Sequence, residues 1–214
     1  PAGAFQLIAP REQEHEYSVD HRGDLFYILT NDRGRNNRLV TVPVADPRRP
    51  NWKELVAQRD DVMLEDFDLF AKWAALYERE DALPRIAVMD FATGATSQVD
   101  FPEAIYSASP ENNREFDTTK LRFEYESFTT PPSVYDYDVA TRQRKLLKQK
   151  EVLGGYDASR YASERQHATA ADGTTIPISI VYRKGLARDG QAPLLLTGYG
   201  SYGAPYDVGF HSNG

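Results

Sequence analysis

The feature that most limits what this chain can fold into is a repeat. The apolar runs at residues 25–31 (LFYILTN), 73–79 (WAALYER) and 121–127 (LRFEYES) start 48 positions apart each time. A second series follows at residues 38–46 (RLVTVPVAD), 85–93 (RIAVMDFAT) and 133–141 (SVYDYDVAT), spaced by 47 and then 48 positions, each closing on a turn such as ADP, ATG or ATR. Within these runs the alternation is two-fold: Tyr135, Tyr137 and Val139 point one way and Asp136 and Asp138 the other. A helical repeat would instead place apolar residues three and four apart.

Each pair of runs has a further strand-like stretch before it (16–20, 65–70, 104–107) and another after it (53–57, 96–101, 144–149). Four antiparallel strands recurring every 40 to 50 residues are the mark of a β-propeller blade, which buries its faces against its neighbours. Nearly three blades are present, too few to close a ring, so the chain is expected to be a fragment or to be completed by residues outside it. The opening PAGAFQLIAPREQ lacks the basic and then apolar profile of a signal peptide. It already reads as the middle of a domain, and an earlier N-terminus is expected.

The repeat stops near Val152, which predicts a division into residues 1–152, the closing blades of a propeller, and residues 153–214, the start of a second domain. After the link LGGY the runs lengthen: residues 164–170, then 175–183 (TIPISIVYR), then 193–197 (PLLLT). The turn ADGTT joins the first two as a hairpin, Asp172 and Gly173 supplying the positive φ angles of a tight turn. The continuous apolar run of PLLLTGYG reads as a buried central strand.

Composition narrows the function classes. The formal net charge of −7 disfavours nonspecific nucleic-acid binding, which needs a positive field. With no cysteine, disulfides, thiolate nucleophiles and thiolate metal sites are excluded. A reducing compartment is compatible, and a cytoplasmic location is the expectation. No apolar run reaches the roughly 18 residues of a membrane span, so no membrane partner is expected. The 13 Tyr and 10 Phe against two Trp favour strands.

Residues 198–203 (GYGSYG) match G-x-G-x-x-G after an apolar strand, the pattern of a dinucleotide-binding loop. That loop must open a helix, whereas Ala204, Pro205 and Tyr206 begin no amphipathic pattern; no cofactor is expected. A nucleophile elbow, G-x-S-x-G, would need Gly where Tyr199 stands, so Ser201 reads as a turn residue. His15, His21, His167 and His211 have no metal-ligand spacing, and the acids Glu65, Asp66 and Asp68 read as a solvated face. No metal is expected.

Together, EHEYSVDHRGDLFYILTN, ESFTTPPSVYDYD, ATAADGTTIPISIVYRKG and above all APLLLTGYGSYG resemble the oligopeptidase B type of the prolyl oligopeptidase family of serine peptidases, over nearly the whole chain. The resemblance implies closing blades of a β-propeller followed by the first strands of an α/β-hydrolase domain. It implies a Ser, Asp and His triad downstream of GYGSYG, absent from these residues, so the 214 residues alone are expected to be inactive. From its residues alone Tyr199 reads as a packed core aromatic; by match to the family motif it is the tyrosine whose hydroxyl helps stabilise the oxyanion.

Tyr202 stands where proline-specific relatives carry a phenylalanine beside the S1 pocket, its other reading being loop packing. Members that cleave after Arg or Lys hold the basic side chain with carboxylates, including a pair shortly after GYGSYG. Asp207 matches the first of that pair and Gly209 stands in place of the second, so Asp207 reads either as an acid of the subsite next to P1, the primary acids for P1 being expected beyond Gly214, or as an ordinary turn residue. The expected activity is hydrolysis of short peptides after Arg or Lys, with the propeller excluding folded proteins. A proline-specific relative and a noncatalytic peptide-binding propeller are the alternatives.

Overall fold

The computed structural model describes residues 7–211, and it is built from strands with only two three-residue 3₁₀ turns, Arg49–Asn51 and Ala158–Arg160. Three four-stranded antiparallel sheets follow in chain order. The first runs β1 (Tyr17–Arg22), β2 (Leu25–Thr30), β3 (Arg38–Pro43), β4 (Lys53–Val56); the second β5 (Val62–Leu69), β6 (Trp73–Glu80), β7 (Leu83–Asp90), β8 (Thr96–Gln98). The third runs β9 (Ser107–Pro110), β10 (Lys120–Glu126), β11 (Ser133–Asp138), β12 (Gln143–Gln149). In each sheet the spatial order equals the chain order, the meander of a propeller blade, and the two predicted series of runs form the two middle strands every time.

The chain divides into two compact units. One takes the chain to Glu80 together with Ile86–Gln98 and Arg114–Thr118; the other takes Asp81–Arg85, Val99–Asn113 and the chain from Thr119 onward.

In the first unit the middle strands are buried on both faces because two sheets pack together. Tyr27, Leu29 and Leu39 interdigitate with Leu64, Phe67, Ala74, Leu76, Ala87 and Met89 in one apolar cluster. Arg22 reinforces that packing: its guanidinium donates to the carbonyls of Phe70 (3.2 Å) and Ala71 (2.6 Å) and lies 4.1 Å from the centre of the Phe91 ring. The acids read as a solvated face are in fact engaged. Arg79 donates to Glu65 at 2.6 Å, and the Tyr77 hydroxyl to Asp68 at 2.7 Å.

Two outer strands begin away from their expected positions. β5 starts at Val62 rather than 65 because its pairing with β6 is irregular between Leu64 and Asp66, which breaks the alternation there. β9 starts at Ser107 rather than 104 because Ile105, wholly buried, packs as part of a linking segment. Burial made it look like strand.

The hairpin loops after the third strand of the second and third blades use one device. Asp90 accepts from the backbone of Ala92 (3.0 Å) and Thr93 (2.8 Å) and from the Thr93 hydroxyl (2.9 Å); Asp138 does the same for Ala140 (3.1 Å) and Thr141 (2.8 Å and 3.1 Å). The residue closing each loop is left-handed, Gly94 at φ 71 and Arg142 at φ 59. Both donate their N–H back to the aspartate carbonyl at 2.8 Å.

In the second unit, the third sheet carries an aromatic cluster of Phe101, Tyr106, Phe123, Tyr125 and Tyr135, with Phe101 stacked 5.5 Å from Tyr125. Beside it Glu103 gathers four hydroxyls: Tyr125 at 2.7 Å, Ser127 at 2.7 Å, Thr129 at 2.5 Å and Thr130 at 2.7 Å. Ser127 in turn accepts from the backbone of Thr129 and Thr130, so the SFTTP run is a turn closed around one carboxylate. Burial alone would raise the Glu103 pKa, but the four donors outweigh it and hold it below its ordinary 4.5.

Beyond the blades, β13 (Tyr161–Thr169) and β14 (Thr175–Arg183) form a two-stranded hairpin. Its loop is not the two-residue turn expected: the Gly173 N–H donates to Ala170, that of Ala170 donates to Thr174, and only Gly173 takes positive φ, at 88. Such a loop is a type I turn closed by a left-handed glycine, in which Asp172 keeps ordinary geometry. Asp172 serves instead by accepting from the Thr174 backbone at 3.0 Å.

Gly94→Ala is expected to destabilise the protein by about 1 kcal/mol, the cost of a Cβ in left-handed backbone, since nothing lies within 4 Å to clash with it. Urea unfolding midpoints measure this. Glu103→Ala is expected to cost roughly 2 to 3 kcal/mol by orphaning half-buried hydroxyls. Because the folded pKa of Glu103 is depressed, its contribution is complete above pH 4.5 and is lost as pH falls through the folded value. Unfolding titrations of wild type and Glu103→Ala should therefore converge in acid; a constant gap would rule this out.

Candidate functional site

Residues 193–197 do not form the interior strand expected of them. They run without strand pairing, and Leu194, Leu195 and Leu196 are 82%, 86% and 79% exposed. β13 and β14 pair only with each other among the described residues, and neither edge of that hairpin takes up this segment. Three consecutive leucines in water are a surface awaiting cover.

The GYGSYG run that follows is a turn, not a helix start. The Ala204 N–H donates to the Ser201 carbonyl at 3.1 Å, with Tyr202 at φ 58 and Gly203 at φ 69 between them. Two successive left-handed residues make a tight reversal, so no helix N-terminus is available for a pyrophosphate. Ser201 is the turn residue its sequence indicated. Among the described residues Tyr199 is 54% exposed and Tyr202 is 99% exposed. Tyr202 thus holds a bulky side chain in strained backbone with no burial to offset it, a condition that concentrates at functional sites. Asp207 lies on the exposed stretch after the turn.

What fixes the far end of this segment has no motif in the sequence. The Phe210 N–H donates to the Glu126 carboxylate at 2.8 Å, across a separation of 84 residues. Glu126 is the last residue of β10 and stands immediately before Ser127, the first residue of the turn closed on Glu103. The Tyr156 ring meets Phe210 edge to face at 5.0 Å and stacks on Tyr161 at 5.9 Å, while its hydroxyl donates to the Thr129 carbonyl at 3.2 Å. Burial first, and the neighbouring Tyr161, raise the Tyr156 pKa, so the phenol stays a donor.

A second tether joins β13 to the turn between β6 and β7. Asp81 and Ala82 are both left-handed there, at φ 49 and 58. Asp81 accepts from Arg165 Nε at 3.1 Å and from His167 Nε2 at 3.3 Å, and the Arg165 guanidinium also reaches the Asp81 carbonyl. His167 is the one histidine that meets a carboxylate at salt-bridge distance among the described residues. No group of three or more His, Asp or Glu converges to hold a metal among those residues. An open cleft of about 490 Å³ lies between the Thr129 turn, residues 149–152 and Tyr156; Tyr199, Tyr202 and Asp207 do not line it.

Known proteins agree with this architecture. Residues 1–150 match the family model described as prolyl oligopeptidase, N-terminal beta-propeller domain. Dipeptidyl aminopeptidase BI of Pseudoxanthomonas mexicana is 45% identical over 210 residues, covering 97% of this chain and 29% of that protein. Protease 2 of Moraxella lacunata is 30% identical over 210 residues, covering 98% and 30%. Oligopeptidase B from Trypanosoma brucei, solved in a closed form with covalently bound antipain, superposes with a TM-score of 0.86 at 33% identity over 96% of this chain and 30% of that one. The chain thus spans about three tenths of the length of these relatives. A blade meander repeated three times, a hairpin after it and a family match over residues 1–150 lead to one conclusion: the chain belongs to the prolyl oligopeptidase family of serine peptidases.

Proposed function

We propose that this chain is part of a cytoplasmic serine peptidase that hydrolyses short peptides after Arg or Lys, its propeller restricting access by folded proteins. The observation that carries the reading is the exposure of Tyr199, and of Tyr202 on a strained turn just after it, at the end of an uncovered apolar segment. In the whole enzyme, residues 193–197 would enter the sheet of an α/β-hydrolase domain, and the leucines would lose their exposure to water. Tyr199 would then be a phenol donor fixed at a strand end, aimed at the carbonyl oxygen as negative charge develops on it. A preorganised donor of that kind needs little reorganisation, and removing one costs about 10²-fold to 10³-fold in rate.

Asp207 supplies one negative charge for a cationic substrate side chain, and Tyr202 an aromatic surface beside it. The nucleophile and its base are not among these 214 residues. Oxyanion stabilisation by itself provides no attacking group.

A second reading has its own support. The relative at 45% identity is named as a dipeptidyl aminopeptidase, against 30% and 33% for the protease 2 and oligopeptidase B relatives. An enzyme that releases dipeptides must recognise a free α-ammonium group, again a cation. Peptides carrying Arg at the second position, with free or acetylated N-termini, separate the two. An endopeptidase cleaves both, whereas a dipeptide-releasing enzyme spares the acetylated one.

In the full-length protein Tyr199→Phe is expected to lower kcat by about 10²-fold or more with an unchanged melting temperature. Unchanged turnover would remove Tyr199 from the mechanism. The 214 residues alone should take no label from a fluorophosphonate serine reagent. Cleavage after Pro rather than Arg would move the enzyme to the proline-specific branch, and no hydrolysis at all by the full-length protein would favour a peptide-binding propeller.

A further inference from the structure

The segment carrying Tyr202 and Asp207 needs a fixed geometry to select a substrate, yet it lies on the surface. From Leu194 to Asp207 every residue is exposed, and exposure falls only at residues 208–210. Those three residues are where the blade takes hold of it. The Phe210 amide donates to Glu126 Oε2 at 2.8 Å, and the Gly209 backbone passes so close that a Cβ there would lie 3.7 Å from both Glu126 oxygens. An acid at 209 would stand against the Glu126 carboxylate, like charge on like charge.

We infer that Glu126 is a positioning residue: its carboxylate anchors the Phe210 amide to the end of β10 and thereby sets where Asp207, three residues earlier, presents its charge to substrate. The inference rests on the reading above that Asp207 meets a cationic group. Tyr156 assists by meeting the Phe210 ring edge to face, itself tied to Thr129 in the turn organised by Glu103. Glu126 acts as an acceptor here, so an uncharged acceptor of the same length should serve. It does not touch substrate, so its loss should act on binding more than on the chemical step.

The test uses the full-length enzyme, a chromogenic peptide with Arg at both P1 and P2, and hydrogen exchange of the peptide spanning residues 207–211. Glu126→Ala is expected to raise KM about tenfold with kcat within about twofold, the effect of one lost charge-assisted hydrogen bond, and to speed exchange at Phe210. Glu126→Gln should restore both. Asp207→Asn serves as the control for the underlying reading and should raise KM without changing exchange at Phe210. If Asp207→Asn raises KM while Glu126→Ala behaves as wild type, the positioning role is overturned and the reading stands. If Asp207→Asn leaves KM unchanged, the reading falls and takes the positioning role with it. Unchanged exchange in Glu126→Ala would refute the anchor whatever the kinetics.

Discussion

An antiparallel four-stranded meander pairs the backbone of its inner strands, but it cannot by itself keep water from both of its faces, and that constraint governs the whole chain. In the first two blades it is met by face-to-face packing, with Leu39, Leu64, Leu76 and Met89 in one cluster. Burial of this kind contributes about 25 cal/mol per Å² of apolar surface, which is why these positions admit little but aliphatic and aromatic residues. The polar and charged residues at the ends of the same strands then bridge neighbouring elements. Arg22 does so by donating to the carbonyls at Phe70 and Ala71.

Where apolar packing thins out, a carboxylate takes over as the organising group. Glu103 is half-buried and would be a liability without partners, since desolvation opposes its charge. Four hydroxyls from Tyr125, Ser127, Thr129 and Thr130 convert it into the centre of a closed turn. The next carboxylate along, Glu126, uses a backbone amide instead. The SFTTP run therefore sits between two anchored points, one holding the blade together and one reaching the tyrosine-bearing segment.

Much of this was legible in the sequence because strand burial leaves a periodic trace. The middle strands of every blade stand out as apolar or alternating runs at constant spacing, and those runs coincide with β2, β6, β10 and with β3, β7, β11. Outer strands were harder. An irregular register near Glu65 breaks the alternation of β5, and the buried Ile105 of a linking segment imitates strand pattern ahead of β9. Residues 193–197 show the same limit from the other side: hydrophobicity states that a segment must be covered but not what covers it. Glu126 left no trace at all, because its partner is a main-chain N–H, which every residue except proline carries, and lies 84 positions away.

That distance along the chain has a consequence for assembly. Strands of a blade meet neighbours close in sequence, so each sheet can close early, whereas bringing Phe210 to Glu126 requires a much larger loop to be closed first. The carboxylate is also of no use as an anchor until β10 has paired with β9 and β11 and fixed its end. The segment that ends at Phe210 is thus set in place last, onto a blade that has already folded, and a chain whose blade has failed leaves that segment without its anchor.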